Sequence, residues 1–384
     1  MRIGILCGEY PPSNHGGIGS FTKDLAEGLA AKGHQIIVFG IYYEMYLEIN
    51  KQQEEVINNV RIIRLPFKRY TKNSYINEFL NRLRLFKFAQ NLISIYSLQL
   101  IEAYDSTGML PFKLKVPLIT RLHGSVTYFG KELGRPYSRY TSFFEQCQIK
   151  KSDFVIGVSK YVLNQSMRYF HMKAKAIVVY NSLNTSLIQT DLNPHRKNYI
   201  LYFGSILPKK GVEQLVRAMG KVLMRFPQFS LVMIGKSFKK PDGVDYTSYL
   251  YSLLPIGLRY KMEIIGHMSR DKLYSYISNS YCCVFPSYTE CFAIAPMEAM
   301  ALGKAVIYSK LHSGPELITE GQDGLLIDPD NVEEICEKIS FLISNRDVSD
   351  QLGQNAALTI RTRFDYNNWL IENERVYFSL LDRK

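Results

Sequence analysis

The sequence predicts an α/β protein made of two doubly wound, parallel-sheet domains in tandem. Three observations indicate this: a length of 384 residues suits two domains, short apolar strands alternate with amphipathic helices, and the alternation starts again near residue 199. The composition, with 46% hydrophobic and 21% charged residues, excludes a disordered or fibrous chain. We therefore expect domains at 1–183 and 199–365, joined by a polar linker at 184–198.

The first domain opens with an apolar strand at 2–7 and a glycine-containing loop. A helix with apolar residues at i, i+4 and i+8 follows, with Ser20 as its expected N-cap and Gly33 at its end. The spacing of the later apolar runs leaves room for helices between them. These runs predict strands at 35–39, 60–65, 98–101, 117–121, 154–158 and 176–179.

The second domain repeats this pattern. Its apolar runs predict strands at 199–203, 230–234, 262–265, 282–285, 305–308 and 324–327. Helical periodicity predicts helices at 212–226, 270–278, 295–302 and 332–344. In sheets of this kind ligands bind at the carboxyl ends of the strands, so a cleft shared by the two domains is where chemistry is expected.

The positive charge of the chain is concentrated in one half. Of the net charge of +12, +11 falls on residues 1–180 and only +1 on residues 181–384. This asymmetry predicts an anionic partner for the first half, such as phospholipid, a lipid pyrophosphate or nucleic acid, although a basic face without a partner is the alternative. Residues 67–88 indicate a basic amphipathic helix with a basic lead-in, which suits an anionic membrane surface. The cations expected to face lipid headgroups are Lys68, Arg69, Lys72, Arg82, Arg84 and Lys87, and Phe86 and Phe88 are the side chains expected to insert. A nucleic-acid groove would combine the same residue types, but nothing else in the sequence resembles a nucleic-acid module.

Several classes of protein and site are excluded by simple patterns. No apolar run is long enough for a transmembrane helix, and the apolar segment at the N-terminus is too short for a secretory signal. We therefore expect a cytoplasmic location, with peripheral attachment to the inner face of the plasma membrane. The six cysteines lack metal-binding spacing and are expected to be reduced thiols. Without a cluster of His, Asp and Glu at metal-binding spacing, we expect neither a metal nor another cofactor.

The most informative segment is 286–303, where a strand end, an acidic loop and a helix follow one another. The free backbone N–H groups of the first helical turn, around Phe292, Ala293 and Ile294, predict an anion site. Glu290 and Glu298 flank it, and carboxylates bind pairs of sugar hydroxyls well. A diphosphate between two polyols fits this pattern. The alternative interpretation is that Glu298 is an ordinary helix residue and Glu290 is a solvated loop acid.

The loop at 16–19 contains three glycines, which allow a backbone to approach a phosphate closely. A dinucleotide-binding fingerprint is a competing interpretation of this loop. It fits poorly because Thr22 stands at the position of the third glycine and no acidic ribose partner follows the next strand.

The segment with Glu290 and Glu298 resembles the Glu-x7-Glu motif of family 4 retaining glycosyltransferases, and the surrounding segments occur in that family's order. The similar segments are 9–12, 16–19, 32–34, 121–124, 159–160 and 181, then 203–211, 235, 266 and 324–326. The resemblance covers residues 1–331 and implies the GT-B fold, two Rossmann-like domains facing a central cleft. It also implies that a last helix within 366–384 packs back on the N-terminal domain.

The resemblance implies roles for residues of the second domain. Glu298 would hold the nucleotide ribose, Glu290 the hydroxyls of the donor sugar, and Lys210 the departing diphosphate. The amides of Phe292, Ala293 and Ile294 would assist on phosphate and sugar, as would Gly17 in the glycine loop of the first domain. The family usually has arginine where this chain has Ser205, and Lys209 or a basic residue of the first domain such as Arg121 is the expected substitute.

Candidates for the acceptor side lie in the first domain. His123 ends an apolar strand, and although a lone histidine is more often structural, the resemblance implies that it contacts the donor sugar. Asp105 follows another strand and is either an acceptor contact or a turn residue. His15 and Arg121 complete the acceptor-side candidates.

The expected function is retaining transfer of a hexose from a nucleotide diphosphate sugar to a hydroxyl of a glycan or lipid-linked acceptor, in cell-surface polysaccharide biosynthesis. The resemblance implies front-face attack, in which the leaving phosphate takes the acceptor proton. Two alternatives stay open: an epimerase or phosphorylase on the same fold, and a catalytically inactive nucleotide-binding subunit, which the loss of arginine at Ser205 suggests.

Overall fold

The computed structural model describes residues 1–12, 16–43, 54–188, 197–238, 243 and 245–382. The chain forms two compact units: unit 1 consists of Met1–Asn181 and Asn367–Lys384, and unit 2 of Ser182–Tyr366. Each unit contains one largely parallel sheet with helices between successive strands. The predicted α/β class with two doubly wound domains is confirmed.

Among the described residues, the sheet of unit 1 has eight strands in the order β3-β4-β2-β1-β5-β6-β7-β8. Of these described strands, β3 alone pairs in the antiparallel direction, with its neighbour β4. The strands are β1 Arg2–Leu6, β2 Gln35–Tyr42, β3 Glu54–Ile57, β4 Val60–Pro66, β5 Leu100–Tyr104, β6 Leu118–Leu122, β7 Phe154–Gly157 and β8 Ala176–Val178. The central strands are buried almost throughout, as expected for a parallel sheet covered by helices on both faces.

The helices of unit 1 connect these strands, and a last helix joins them from the C-terminal end of the chain. They are α1 Gly17–Ala31, α2 Ser74–Ile95, α3 Val126–Glu132, α4 Arg139–Lys151, α5 Lys160–Phe170 and, last in the chain, α13 Tyr366–Leu381. Asn373 and Tyr377 of α13 hydrogen-bond to the buried pair Arg121 and Glu102 in the sheet. The C-terminal helix is therefore held in unit 1 by polar contacts in its core.

In the part of unit 2 that the structure describes, six parallel strands follow the order β11-β10-β9-β12-β13-β14. The strands are β9 Tyr199–Phe203, β10 Ser230–Ile234, β11 Met262–Ile265, β12 Cys282–Phe285, β13 Val306–Ser309 and β14 Leu325–Ile327. The helices are α6 Val212–Arg225, α7 Tyr246–Ser252, α8 Arg270–Asn279, α9 Ile294–Ala301, α10 Gly314–Leu317, α11 Val332–Ser344 and α12 Arg346–Arg363. The strand order reverses between β9 and β12, so the crevice beyond their carboxyl ends is the expected ligand position in this unit.

The start of α1 differs from the prediction. The helix begins at Gly17 after an N-cap at Gly16, and the amide of Ser20, the expected N-cap, donates to Gly16 O at 3.2 Å inside the helix. Gly16 has no side chain to cap the first turn, but the Glu9 carboxylate accepts a hydrogen bond from the Gly19 amide at 2.8 Å. A side chain from the preceding loop thus supplies the cap, so the helix does not need Ser20 to begin.

The polar linker predicted at 184–198 lies only in part within the described residues. The division between the two units falls at Asn181 and Ser182, just before this segment. Thr185–Leu187 form a 3-10 turn in which the Asn184 side chain accepts from the Ser186 amide. Residues 189–196 lie outside the described residues.

Candidate active site

Two loops at the carboxyl ends of β9 and β12 meet where the strand order of unit 2 reverses. The Tyr288 amide donates to Lys209 O at 2.9 Å, which joins the loop after β12 to the 3-10 turn Pro208–Lys210 after β9. Gly211 closes that turn with φ of +67°, and a Cβ at this position would lie 1.8 Å from Pro286 O. Only glycine allows so close an approach, which fixes the two loops side by side.

Lys210 and Glu290 are brought together by this contact. Lys210 Nζ donates to Glu290 Oε1 in a salt bridge between two side chains that are about one-fifth exposed. Ser287 Oγ donates to the same carboxylate oxygen at 3.1 Å. Two residues that the resemblance assigns to the donor thus lie in contact, and each remains accessible to a ligand.

The helix after this loop begins without a side-chain cap. Its N-cap is Ala293, whose methyl group cannot accept a hydrogen bond, so the first-turn amides are left for another acceptor. Phe292 is buried and its ring lies 5.5 Å from that of Phe364. Ala293 and Ile294 are half-buried at the end of the helix, an arrangement that suits an anion.

Glu298 lies within α9, and its side chain is only 7% exposed. The Tyr274 hydroxyl, from the neighbouring helix α8, is 3.4 Å from Glu298 Oε1 and can donate a hydrogen bond to it. A carboxylate held in this way, beyond the same strand ends as Glu290, can accept hydrogen bonds from a pair of ligand hydroxyls. The contact with Tyr274 was not predicted, because the sequence shows no helical or strand spacing that links the two residues.

Ser205 occupies an exposed position directly after β9. The buried Tyr202 hydroxyl donates to Ser205 O at 2.7 Å and holds the backbone of the loop. Lys209 offers its backbone carbonyl to Tyr288, as described above, and its side chain is half-buried.

In unit 1, Asp105 and His123 lie together at the carboxyl ends of β5 and β6. The His123 amide donates to Asp105 Oδ1 at 3.0 Å, and the other oxygen of this buried carboxyl group has no hydrogen-bond partner among the described residues. Burial and the nearby Glu145 carboxylate raise the pKa of Asp105 to about 8. Burial and the positive charge of Arg121 lower the pKa of His123 to about 3, so its imidazole is neutral at physiological pH.

Arg121 was predicted as an acceptor-side residue or as a substitute cation, and the structure places it in the core of unit 1. Its guanidinium is buried and makes two hydrogen bonds to Glu102, at 2.7 and 3.0 Å, and a third to Asn373 at 2.5 Å. Separating such a buried pair would leave uncompensated charge in the core. Arg121 therefore helps to hold α13 in unit 1, and its role as an acceptor-side residue or substitute cation stays a prediction.

The remaining candidates of unit 1 lie near the glycine loop. Gly17 begins α1, and a Cβ at this position would meet no atom within 4 Å. The Glu9 carboxylate already accepts from this helix end, so it lies where an anionic ligand of the loop would have to bind. His15, another acceptor-side candidate, lies outside the described residues.

The basic segment at 67–88 is less regular than predicted. Arg82, which was expected on its basic face, is 2% exposed and donates to the carbonyls of Thr107 at 2.7 Å and Gly108 at 3.1 Å. Phe86 and Phe88 pack on the core of unit 1. The charged residues that remain exposed are Lys68, Arg69, Lys72 and Lys87.

Large apolar side chains are also exposed beside these cations. Tyr70, Tyr75, Ile76 and Phe79 have between 39% and 56% of their surface exposed. Tyr75 packs on Tyr140 of α4 with ring centroids 4.9 Å apart, so this surface continues from α2 onto α4. We call Lys68, Arg69, Lys72, Tyr70, Tyr75, Ile76 and Phe79 the α2 surface.

Neither a metal cluster nor a membrane span is found in the described part of the chain. No three His, Cys, Asp or Glu side chains there are grouped so that they could hold a metal ion. None of the helices described is both long and apolar enough to cross a membrane.

Comparison with family models decides the classification. Residues 15–187 match the model described as Glycosyltransferase Family 4, and residues 185–359 match the model described as Glycosyl transferases group 1. The two models thus meet near the division between the two units and together span residues 15–359. The chain belongs to the family 4-type glycosyltransferases.

Similar proteins cover this glycosyltransferase almost from end to end. An uncharacterised glycosyltransferase of Methanocaldococcus jannaschii is 27% identical, over 96% of this chain and 95% of its own. The N-acetyl-alpha-D-glucosaminyl L-malate synthase of Bacillus anthracis is 22% identical, over 99% of this chain and 97% of its own.

Solved structures show the same fold. Sucrose-phosphate synthase from Thermosynechococcus elongatus matches with a TM-score of 0.84 and 19% identity over the whole of both chains. Anabaena HepE in complex with UDP-glucose matches with a TM-score of 0.79 and 18% identity, over 99% of this chain and 100% of its own. The GT-B fold expected for this glycosyltransferase is therefore confirmed.

Proposed function

We propose that this glycosyltransferase moves a hexose, with retention of configuration, from a nucleotide diphosphate sugar to a hydroxyl of a glycan or lipid-linked acceptor in cell-surface polysaccharide biosynthesis. The observation that carries the proposal is the site in unit 2, where Lys210 and Glu290 pair beside the uncapped start of α9 and Glu298 follows on that helix. A cation, helix-start amides without a side-chain cap and two carboxylates match a diphosphate with a sugar on either side.

Each part of the donor has a candidate partner in this arrangement. The Glu298 carboxylate accepts from the ribose hydroxyls, the Glu290 carboxylate accepts from the sugar hydroxyls, and the amides around Phe292, Ala293 and Ile294 donate to phosphate or sugar oxygens. Lys210 neutralises charge on the departing diphosphate. HepE, a structural neighbour, has been solved with UDP-glucose and with UDP, which makes uridine nucleotides the first donors to test.

The transfer step needs no protein nucleophile in this proposal. The bond between the anomeric carbon and the diphosphate oxygen breaks, and the acceptor oxygen forms a new bond to that carbon on the same face. The acceptor proton passes to an oxygen of the leaving diphosphate. The protein positions both reactants and stabilises the charge that develops on the leaving group, and no metal is required.

Residues at the carboxyl edge of the unit 1 sheet are proposed for the acceptor side. The candidates among the described residues are Asp105 and His123. Asp105 has one buried oxygen without a partner there, and His123 is neutral and donates its amide to Asp105. A neutral imidazole can donate one hydrogen bond to a sugar hydroxyl without adding positive charge near the anomeric carbon. We retain His15 as a candidate from the sequence alone.

An anionic membrane surface is the proposed partner of unit 1. The α2 surface combines exposed cations with exposed aromatic rings, and each cation near an anionic surface contributes about 1 kcal/mol to binding. The exposed cations are fewer than the sequence predicted: they are Lys68, Arg69, Lys72 and Lys87. The side chains that can enter the interface are not Phe86 and Phe88 but Tyr70, Tyr75, Ile76 and Phe79. Such binding would be reversible and sensitive to salt.

A thermal-shift panel of nucleotide sugars and nucleoside diphosphates tests donor binding directly. A ligand present at 100 times its dissociation constant stabilises the folded state by about 2.7 kcal/mol. We expect one base to raise the melting temperature of the wild type and to have little effect on the Glu298→Ala variant. A panel in which no nucleotide changes the wild-type melting temperature would contradict the proposed donor.

A further inference from the structure

The site in unit 2 has a shortage of positive charge for the ligand proposed above. Lys210 is the cation placed beside the start of α9, and its ammonium is already paired with the Glu290 carboxylate. The two charges cancel, whereas a departing diphosphate carries more than one negative charge. Stabilising such a leaving group calls for at least one further cation near the same strand ends.

The backbone beyond β9 and β10 brings one lysine to this place. Past the last paired strand residues, the Gly204 amide donates to Ile234 O and the Ile206 amide donates to Lys236 O, both at 2.9 Å. These two bonds continue the pairing of the strands into their loops, so Lys236 lies across from Ser205. The approach is close, since a Cβ at Gly235 would lie 1.9 Å from Gly204 O.

Lys236 has the properties of a cation that awaits a ligand. Its side chain is exposed, and no salt bridge or side-chain hydrogen bond involves it within the described part of the chain. Lys209, the substitute suggested by the sequence, lies in the adjacent turn and has side-chain or backbone partners of its own. Lys236 is therefore the better placed of the two to meet an incoming anion.

Two hydroxyl groups near the same strand ends also lack partners. Ser237 Oγ, one residue after Lys236, and Thr289 Oγ1, one residue before Glu290, are buried atoms without a hydrogen-bond partner among the described residues. A buried hydroxyl left unpaired costs free energy unless a ligand or water completes it. Both hydroxyls can donate to phosphate oxygens, which are strong acceptors.

We propose that Lys236 is the second cation of the diphosphate site and acts with Lys210 on the phosphates of the donor. From the carboxyl end of β10 it supplies the positive charge that the uncharged Ser205 cannot supply at the end of β9. The inference rests on the proposed function, because it assumes a nucleoside diphosphate in this site.

Isothermal titration with a nucleoside diphosphate and the matching monophosphate tests the proposal. UDP with UMP is the first pair, followed by GDP with GMP and ADP with AMP if uridine nucleotides do not bind. In the Lys236→Met variant we expect the dissociation constant for the diphosphate to rise at least tenfold and that for the monophosphate to rise less than threefold. The Ser205→Arg substitution added to Lys236→Met should restore at least half of the lost binding free energy for the diphosphate.

Lys261→Met is the matched control. Lys261 precedes β11 at its amino end, at the opposite edge of the sheet from the site, and its ammonium donates to Pro227 O. Both dissociation constants should therefore stay within twofold of the wild type in this variant.

The outcomes separate the inference from the function on which it rests. If Lys236→Met binds the diphosphate as the wild type does while Lys210→Met binds it at least tenfold more weakly, the role of Lys236 is overturned and the proposed function stands. If the diphosphate and monophosphate lose affinity equally in Lys236→Met, the lysine does not act on the phosphates as a second cation and the inference is also overturned. If the wild type binds no nucleoside diphosphate, both the inference and the proposed donor are overturned.

Discussion

Lys210 and Glu290, 80 residues apart in the chain, form a salt bridge at the carboxyl edge of the unit 2 sheet. In the proposed function each of them contacts a different part of the same donor. Glu290 therefore competes with the donor diphosphate for Lys210 until a sugar ring offers its hydroxyls to the carboxylate. A mutation of Glu290 should therefore affect the binding of a nucleoside diphosphate and the binding of a nucleotide sugar differently.

Glu290→Gln is expected to tighten the binding of a nucleoside diphosphate while it slows sugar transfer. Removing the competing carboxylate frees Lys210 for the phosphates, and a gain of about 1 kcal/mol corresponds to roughly fivefold in the dissociation constant. Titration calorimetry with the diphosphate and a transfer assay with the nucleotide sugar measure the two effects. Ser287→Ala, which removes a hydrogen bond to Glu290 but no charge, is the control and should change diphosphate binding less than twofold. Weaker diphosphate binding by Glu290→Gln would contradict the competition.

Asp105→Asn is expected to reduce the loss of stability as the pH rises. Burial is the main cause that raises the pKa of Asp105 to about 8 in the folded protein, whereas the pKa of an aspartate in the unfolded chain is near 3.8. The folded state therefore holds a proton that the unfolded state releases, so the free energy of unfolding falls between about pH 4 and pH 8. Asparagine keeps an acceptor for the His123 amide and has no charge to bury.

Thermal unfolding at pH 5, 6, 7 and 8 measures this effect. The melting temperature of the variant minus that of the wild type should increase with each step in pH and be positive at pH 8. Parallel melting curves for the two proteins over the whole range would show that Asp105 is ionised in the fold at every pH tested.

Some features of the fold and site could be predicted because their cause is local. Strand β9, strand β12 and helix α11 have the predicted bounds, since each is a run or a stripe of apolar residues that becomes buried. The start of α1 could not be placed, because its capping group is the Glu9 side chain in the preceding loop. The motif around Glu290 and Glu298 could be recognised, since a strand end, loop and helix follow directly in the sequence.

Other features depend on residues far apart in the chain. The amphipathic spacing placed Arg82 on a solvent face, but the carbonyls of Thr107 and Gly108, about 25 residues further on, draw it into the core. Arg121 likewise finds Glu102 and Asn373, and the latter lies 252 residues away. Lys236 was missed because its position opposite Ser205 follows from the pairing of β9 with β10. A lysine directly after an apolar strand and a glycine is the signal that could have identified it.

Sugar transfer is expected to survive removal of divalent metal ions. In the proposed site Lys210, Lys236 and the amides at the start of α9 together supply the positive potential that a metal ion would otherwise provide to the diphosphate. The transfer rate after dialysis against EDTA should stay within twofold of the untreated enzyme, and addition of magnesium or manganese should have no larger effect. Complete loss of transfer with EDTA, restored by either ion, would show that a metal takes part.

Membrane binding is expected to depend on the cations of the α2 surface. Vesicles with and without phosphatidylglycerol should co-sediment the wild type only when the anionic lipid is present. A Lys68→Glu, Arg69→Glu, Lys72→Glu variant should lose this binding, because three attractive charges become repulsive. At 0.5 M salt the Debye length falls to about 4 Å, so binding of the wild type should also weaken.

A charge-matched variant controls for the net charge of unit 1. Lys150→Glu, Lys151→Glu, Lys173→Glu changes three exposed lysines outside the α2 surface and should leave sedimentation close to that of the wild type. Equal sedimentation of the wild type and both variants, or equal binding to neutral and anionic vesicles, would overturn the α2 surface as the membrane contact and make a soluble acceptor the better hypothesis.

The central claim, retaining transfer from a nucleotide diphosphate sugar at the unit 2 site, is tested most directly by proton NMR of the sugar that the enzyme releases. With α-linked nucleotide hexoses and water as the acceptor, we expect the α-hexose to appear first, before mutarotation. Lys210→Ala and Glu298→Ala should each lower the rate about a hundredfold, which corresponds to about 3 kcal/mol of lost transition-state stabilisation. Initial release of the β-hexose would contradict retaining transfer. A rate above a third of the wild-type rate in either variant would contradict the site, and no consumption of any donor, even with cell-envelope acceptors added, would contradict the transfer itself.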